Sequence, residues 1–296
     1  MAPLNRRQFI KSGIAGITGA ALSGQITFAN SALPPENHKI PQVSLGQTGI
    51  KISQIGLGTG SVAYNKSSNQ TRLGMEQFVK LARHAYERGL CYFDLADSYG
   101  SHTYMANALK HMSREKVELC SKIWTYPNGS DKIVPVEQSL DRFRKEIGTD
   151  YIDILLMHCL MEPGWTQSRS YYIDALSKAK QDGIVKAVGV SCHNWEAMVE
   201  AVDSPWVDVI LARINPFQSN MDGTPDAVNK LLGKAVKNGK GVIGMKIFGE
   251  GKNVSVEERE RSLHFAIHEA NIHCMTIGLE SIAQIDDLVE RVSKTL

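Results

Sequence analysis

The feature that most constrains the fold is a regular alternation of short apolar segments with stretches of helical periodicity. Eight such pairs follow one another between residues 55 and 294. This alternation predicts an α/β protein whose parallel strands close into a (β/α)8 TIM barrel. An open, doubly wound sheet is the alternative, but no GxGxxG motif follows the first strand. The predicted strands span residues 55–58, 90–94, 117–122, 151–158, 187–191, 207–213, 241–246 and 274–277.

Two short apolar segments precede the predicted barrel. Residues 42–45 and 50–53 are separated by a turn that contains Gly46 and Gly49. Glycine-bounded segments of this length are typical of a β-hairpin. We therefore expect an N-terminal hairpin, and we assign residues 42–296 to one barrel domain.

Three consecutive predicted strands end on an ionisable residue. Asp94, Lys122 and His158 are the last residues of the second, third and fourth predicted strands, and Tyr99 lies five residues beyond Asp94. Taken singly, such residues are more often helix caps or buried polar groups. The carboxyl ends of parallel barrel strands meet at one face, so these four side chains are expected to lie together.

The sequence segments around these residues resemble those of the aldo-keto reductase family. The matching segments are FDLADSYG at 93–100, CSKIW at 120–124 and YIDILLMH at 151–158, followed by VGVSCHNW at 188–195 and GVIGMKIFGEG at 241–251. The resemblance implies reduction of an aldehyde or ketone, or oxidation of the alcohol, by hydride transfer with NAD(P)H. It also implies the catalytic roles of four residues, namely Asp94, Tyr99, Lys122 and His158.

Hydride transfer to a carbonyl builds negative charge on oxygen, so the reaction needs a proton donor there. By resemblance, Tyr99 is this acid and His158 orients the carbonyl. Lys122 is expected to lower the pKa of Tyr99, since an ammonium roughly 4 Å away shifts a pKa by about three units at moderate dielectric. Asp94 is expected to keep Lys122 charged.

The resemblance also implies which residues hold the cofactor. These are Ser191, Lys246, Phe248, Gly249, Gly251, Gly278 and Gln284. Cys192 and Leu211 stand where the family usually has Asn and Gln, and Met245 replaces a frequent aromatic residue. Near Glu280 there is no basic residue for a 2′-phosphate, so the choice between NAD and NADP stays open. A regulatory barrel without productive turnover is therefore the alternative function.

The substrate side is less constrained by the sequence. The residues that are candidates for lining an open site are Trp124, Trp165, His193 and Phe217. A small-molecule carbonyl compound is the expected substrate.

The first residues predict an export signal. Arg6 and Arg7 precede a Gly/Ala-rich apolar stretch and then small residues, which resembles a twin-arginine signal peptide over residues 1–32, with a linker over 33–41. The expected partner is the twin-arginine export machinery, and the expected location is the periplasm. A basic amphipathic start or a disordered tail is the alternative. The apolar stretch is short for a membrane span, so no stable span is expected after processing.

Composition gives no sign of a nucleic-acid-binding protein or of a cysteine-based metal site. The net charge is +2 with acidic and basic residues mixed, which does not indicate a nucleic-acid partner. The five cysteines have no metal-binding spacing, so no metal is expected.

Overall fold

The computed structural model of the protein describes residues 40–126 and 134–296. The predicted signal peptide, over residues 1–32, and nearly all of the predicted linker, over 33–41, lie outside the described residues. The signal and the domain limits therefore stay predictions.

Eight parallel strands close into a barrel, which confirms the predicted fold class and excludes the open sheet. Each strand pairs with the next along the chain, and the last pairs with the first. The strands are β3 (Ile55–Gly58), β4 (Tyr92–Asp94), β5 (Glu118–Trp124), β6 (Ile152–Leu160), β7 (Val185–Cys192), β8 (Val209–Arg213), β9 (Gly241–Met245) and β10 (Cys274–Gly278).

The predicted hairpin is also confirmed. Strands β1 (Gln42–Ser44) and β2 (Lys51–Ser53) pair antiparallel, and the turn between them reaches the start of β9, where the Gln47 N–H donates to Gly239 O. Leu45 and Ile52 are fully buried in the same apolar cluster as the inward side chains of the strands. The hairpin therefore fills the amino-terminal end of the barrel with apolar side chains.

Helices cover the outside of the barrel. They are α1 (Asn69–Arg72), α2 (Met75–Glu87), α3 (His102–Leu109), α4 (Val136–Ile147), α5 (Trp165–Ser168), α6 (Ser170–Gln181), α7 (Trp195–Asp203), α8 (Pro225–Lys237), α9 (Val256–His264) and α10 (Ile282–Thr295). In α2, Phe78, Leu81, Ala82 and Ala85 recur at helical spacing and are buried, so this stripe packs on the strands. None of the described helices is long and apolar enough to cross a membrane.

Strands β5 and β6 run past the carboxyl ends that the sequence predicts for them. Strand β5 continues to Trp124 and β6 to Leu160, so Lys122 and His158 lie inside their strands near the carboxyl ends. The cause is the register with the neighbouring strand, because Trp124 is paired with His158 in the ladder. Asp94 ends β4 as predicted.

One carboxyl group at the amino-terminal end of the barrel is held in an unfavourable setting. Glu118 begins β5 half-buried, and its Oε2 has no hydrogen-bond partner among the described residues. Burial and then the nearby Asp153 carboxylate raise the pKa of Glu118 to about 7. Ionisation of Glu118 therefore costs more free energy in the folded state than in the unfolded chain, so it destabilises the fold.

Replacing Glu118 with glutamine should stabilise the protein at alkaline pH. The folded pKa lies above the unfolded one, so wild-type stability falls as the pH rises from about 4.5 through 7. After discounting for partial exposure, we expect the variant to gain about 1 kcal/mol at pH 8 and almost nothing at pH 4. Urea unfolding at both pH values measures this. The exposed Glu115→Gln serves as control, and an equal gain at both pH values would contradict the explanation.

Candidate active site

A buried ion pair lies at the carboxyl end of the barrel. Lys122 is 1% exposed, and its Nζ donates to Asp94 Oδ1 at 2.5 Å and to Leu95 O at 2.9 Å. Burial alone would lower the pKa of Lys122, but the Asp94 carboxylate and the Tyr99 phenol outweigh it, so the pKa is raised. The ammonium therefore stays charged inside the protein, as predicted.

Tyr99 lies directly above this pair. A single 3₁₀ turn, Asp97–Tyr99, follows β4 and carries the ring to a position where its centroid is 4.8 Å from Lys122 Nζ. A second contact comes from Gly60 in the loop after β3, where an added Cβ would lie 2.4 Å from two ring carbons. The ring therefore packs both on a cation and on a stretch of backbone that has no side chain.

The prediction that the pKa of Tyr99 is lowered from its ordinary value is wrong. Burial raises the pKa, the Lys122 ammonium lowers it in part and the Asp94 carboxylate raises it again, and the net pKa of Tyr99 is about 12. Burial outweighs the effect of the lysine, and because it depends on contacts distant in sequence, local sequence does not predict it. The phenol is consequently fully protonated at neutral pH, which is the form that a proton donor requires.

His158 completes the group. Its ring meets Tyr99 edge-on at a centroid distance of 5.6 Å and an interplanar angle of 82°, and it meets Trp124 at 5.7 Å and 89°. Burial first, then the charges of Lys122 and His193, lower the pKa of His158 well below its usual range. A neutral imidazole therefore faces the phenol, and all four predicted catalytic residues lie together.

A bulge in β6 sets the direction of His158. The register with β7 shifts between Met157 and Leu160, and Cys159 has a φ of 63°, which is unusual for a residue with a side chain. The Cys159 N–H donates to Ser191 Oγ at 2.7 Å. Ser191 is 1% exposed, so this predicted cofactor residue also fixes the backbone next to His158.

Four predicted cofactor residues lie in the loop after β9. Lys246, Gly249 and Gly251 all have positive φ, and Lys246 Nζ pairs with Glu250 Oε1 at 2.5 Å. Phe248 is partly buried and packs on the core. Asn220, from the loop after β8, donates to Glu250 Oε2 at 2.9 Å and so ties the two loops together. The result is a tightly curved segment at the carboxyl face.

The last two predicted positions lie at β10. Gly278 ends the strand, and a Cβ there would be 2.1 Å from Ser61 Oγ, so the loop after β3 packs closely on it. Gln284 Oε1 accepts the Glu280 N–H at 2.7 Å at the start of α10. Glu280 also accepts from Asn69 Nδ2 at 2.5 Å. A carboxylate therefore stands at this corner of the face.

Three positions that depart from the family pattern present little polarity. Cys192 and Leu211 are buried, and Met245 is 9% exposed. Burial raises the pKa of the Cys192 thiol, so it stays neutral.

The prediction that Trp165 lines the open site is wrong. Trp165 is fully buried, and its Nε1 donates to Ala197 O.

Three residues that support the site were missed by the sequence analysis. Gly60 packs against the Tyr99 ring, Ser98 Oγ lies 3.4 Å from His158 Nδ1, and Arg142 pairs with Asp97 in the tyrosine turn. Gly60 and Arg142 are far from Tyr99 in sequence, so no local pattern indicates the contacts. Ser98 lies within the quoted FDLADSYG segment and could have been considered there.

Adding a single methyl group at Gly60 should displace the Tyr99 ring. The alanine Cβ has no room beside the ring, and a misplacement of about 1 Å can cost as much as about 100-fold in turnover. We expect Gly60→Ala to lower kcat for carbonyl reduction by about 10- to 100-fold and to lower the thermal midpoint slightly. Thermal unfolding of Gly60→Ala in a Tyr99→Ala background is the control, because the cost in stability should vanish there. Unchanged kcat would contradict the contact.

The fold and the cluster of four ionisable side chains describe a barrel with a polar site at its carboxyl end, and comparison with known proteins gives the family. The profile of the Aldo/keto reductase family matches residues 54–295. This protein belongs to the aldo/keto reductase family.

Curated relatives are distant. L-galactose dehydrogenase from Arabidopsis thaliana is 28% identical over 183 residues, which cover 59% of this chain and 56% of the relative. Methylglyoxal reductase DkgB from Salmonella typhimurium is 27% identical over 154 residues, covering 50% and 56%. The chain thus spans about half the length of the curated relatives it matches.

Solved structures share the fold. A putative aldo-keto reductase from Pseudomonas aeruginosa has a TM-score of 0.71 and 18% identity, covering 88% of this chain and 99% of its own. An aldo-keto reductase from Klebsiella pneumoniae, solved in complex with NADPH, has a TM-score of 0.66 and 16% identity, covering 85% and 89%.

Proposed function

We propose that this protein is an NAD(P)H-dependent oxidoreductase that reduces a small aldehyde or ketone, or oxidises the corresponding alcohol. The observation that carries the proposal is the buried Lys122–Asp94 pair beneath a protonated Tyr99 and beside a neutral His158. These groups supply a proton donor and a positive environment where a carbonyl oxygen becomes negative. Family membership supports the same reaction.

Each catalytic residue has one role in this scheme. The Tyr99 phenol donates its proton to the carbonyl oxygen, and the Lys122 ammonium stabilises the phenolate that remains. Asp94 holds the ammonium in place through the 2.5 Å contact. A Ser98 hydroxyl that donates to His158 Nδ1 leaves the ring proton on Nε2, so the neutral imidazole offers an N–H to the carbonyl oxygen.

The residues along β9 and β10 fit a dinucleotide. Thr276 Oγ1 and Asn253 Oδ1 are buried and have no hydrogen-bond partner among the described residues. They lie near the curved segment that contains Gly249 and Gly251, and near Gly278, on which the loop after β3 packs closely. The two unpaired polar atoms and the open space beside the Gly251 backbone, where an added Cβ would meet nothing within 4 Å, support a ligand site here. Bound NAD(P)H would supply the hydride, while Ser191 would contact the carboxamide end.

We further propose a preference for NADH over NADPH. Glu280 lies at the start of α10, where the family resemblance implies basic residues for a 2′-phosphate, and a carboxylate repels that group. We expect tryptophan-fluorescence titration to show NADH binding about tenfold more tightly than NADPH, with Glu280→Gln narrowing the difference. Equal or tighter NADPH binding would contradict this preference.

Turnover of simple aldehydes tests the proposed function. The full protein is mixed with NADH or NADPH and a short-chain aldehyde, and the loss of reduced nicotinamide absorbance is followed. We expect steady turnover. No turnover, together with no fluorescence quenching by either nucleotide at about 1 mM, would instead favour the regulatory barrel, which the apolar residues Cys192 and Leu211 suggest.

The chain is also proposed to be exported to the periplasm by the twin-arginine machinery. The motif that includes Arg6 and Arg7 supports this, and folding before export would allow the cofactor to travel with the protein. Cell fractionation with wild type and an Arg6→Lys, Arg7→Lys variant tests it. Periplasmic recovery of the variant would contradict it.

A further inference from the structure

The turn that carries Tyr99 is held by an ion pair from a distant helix. Arg142, on α4, donates to Asp97 Oδ1 at 2.8 Å and to Asp97 Oδ2 at 2.9 Å. Lys66, from the loop after β3, also pairs with Asp97. Burial would raise the pKa of Asp97, but hydrogen bonds from Arg142 and Lys66 lower it to about 2. Asp97 is therefore ionised, and it begins the turn that Tyr99 ends.

The same arginine begins a second chain of hydrogen bonds. Arg142 donates to Glu146 Oε1 at 2.9 Å, and Glu146 Oε2 lies 2.8 Å from His102 Nδ1. His102 Nε2 lies 2.8 Å from Ser121 Oγ, and Ser121 directly precedes Lys122. One network thus connects the turn that bears the phenol with the strand that bears the ammonium.

The cluster is better explained by the arginine than by a metal ion. Ligand atoms of Asp97, His102 and Glu146 lie within 4.8 Å of one another, which is a spacing that a metal ion can use. The guanidinium, however, already pairs with both carboxylates, so a cation there would be repelled at close range. A planar fork that binds two carboxylates fixes their orientation as well as their charge.

We propose that Arg142 is a positioning residue for carbonyl reduction, which sets the Tyr99 turn against the strand that carries Lys122. The inference rests on the proposed function. The hydrogen bonds described for the Arg142 side chain go to Asp97 on one side and to Glu146 on the other, so it acts through these two residues.

Kinetics of three variants test the proposal. We expect Arg142→Met to lower kcat by about 10- to 100-fold, with the dissociation constant for the nucleotide unchanged. Arg142→Lys keeps one charge without the fork, so it should recover part of the loss. Arg144→Met is the matched control, because Arg144 lies on the same helix and pairs only with Asp141 and the Asp150 carbonyl among the described residues. Its kcat should stay at the wild-type value.

Hydrogen exchange separates this proposal from the proposed function. The Tyr99 N–H donates to Ala96 O and the Gly100 N–H to Asp97 O, so exchange at residues 97–100 reports the turn without any turnover. We expect faster exchange there in Arg142→Met and unchanged exchange in Arg144→Met. If wild type shows no turnover, the proposed function fails, and exchange alone decides whether Arg142 positions the turn.

Two results would overturn the positioning role. One is wild-type exchange at residues 97–100 in Arg142→Met, whatever the kinetics show. The other is a fall in thermal midpoint and in nucleotide affinity that accompanies the loss of kcat and is equally large in Arg142→Lys, since that pattern indicates a structural role only.

Discussion

Replacing Tyr99 with phenylalanine is expected to lower kcat for aldehyde reduction by about 10²–10⁴, the range that a positioned general acid contributes. The phenylalanine ring keeps the packing against Gly60 and the edge contact with His158, so folding and nucleotide binding should persist. Turnover, thermal unfolding and fluorescence titration measure the three properties separately. Because the wild-type pKa is about 12, Tyr99 should remain a donor across pH 7–10.

A second tyrosine gives the matched control for that variant. Tyr126 lies near the same end of the barrel, where its hydroxyl accepts the Met161 N–H at 2.9 Å and its ring lies 5.3 Å from that of Trp124 at a tilt of 53°. Tyr126→Phe should change kcat less than about threefold, since it removes a hydroxyl that has no proposed part in the chemistry. Turnover by Tyr99→Phe at the wild-type rate would reject the assignment of the acid.

Replacing Asp94 with asparagine is expected to have the largest effect on stability. The substitution keeps the shape of the side chain but leaves the Lys122 ammonium buried without its counter-charge. Breaking a buried pair from one side typically costs about 3–5 kcal/mol of unfolding free energy. Urea unfolding measures that loss. Reduction of aldehydes should also fall sharply, because Lys122 loses the contact that aims it at Tyr99.

The double variant Asp94→Asn, Lys122→Met distinguishes the lost charge balance from lost packing. Removing both charges should return most of the unfolding free energy while turnover stays low. If the double variant is as unstable as Asp94→Asn alone, then the pair does not account for the destabilisation, and the packing of the polar side chain does.

Much of the fold followed from periodicity, because eight strand–helix units leave few arrangements that bury every strand. Asp94 was placed well because its strand stops where the apolar run stops. Lys122 and His158 were placed at the correct face as the last residues of their strands, but the strands continue to Trp124 and Leu160, since strand ends depend on the neighbouring strand as well as on local composition. The pattern of ionisable residues at strand ends therefore located the site more reliably than it located the boundaries.

The parts that the sequence did not predict are contacts between distant segments. The pKa of Tyr99 is raised by burial against Gly60 and the β4 and β5 strands, and the turn is held by Arg142 from another helix. Neither contact has a local signal. A family resemblance transfers the identity of the reacting groups, but it does not transfer the environment that sets their protonation.

The hairpin at the amino-terminal end of the barrel determines the end from which reactants can reach the site. Leu45 and its neighbours fill that end of the described structure, so both reactants of the proposed oxidoreduction must enter through the opposite mouth, over Tyr99. Whichever reactant lies deeper in this mouth then has to bind first and dissociate last. Steady-state kinetics should accordingly show compulsory-order binding, in which the nucleotide and the carbonyl compound bind in one fixed order.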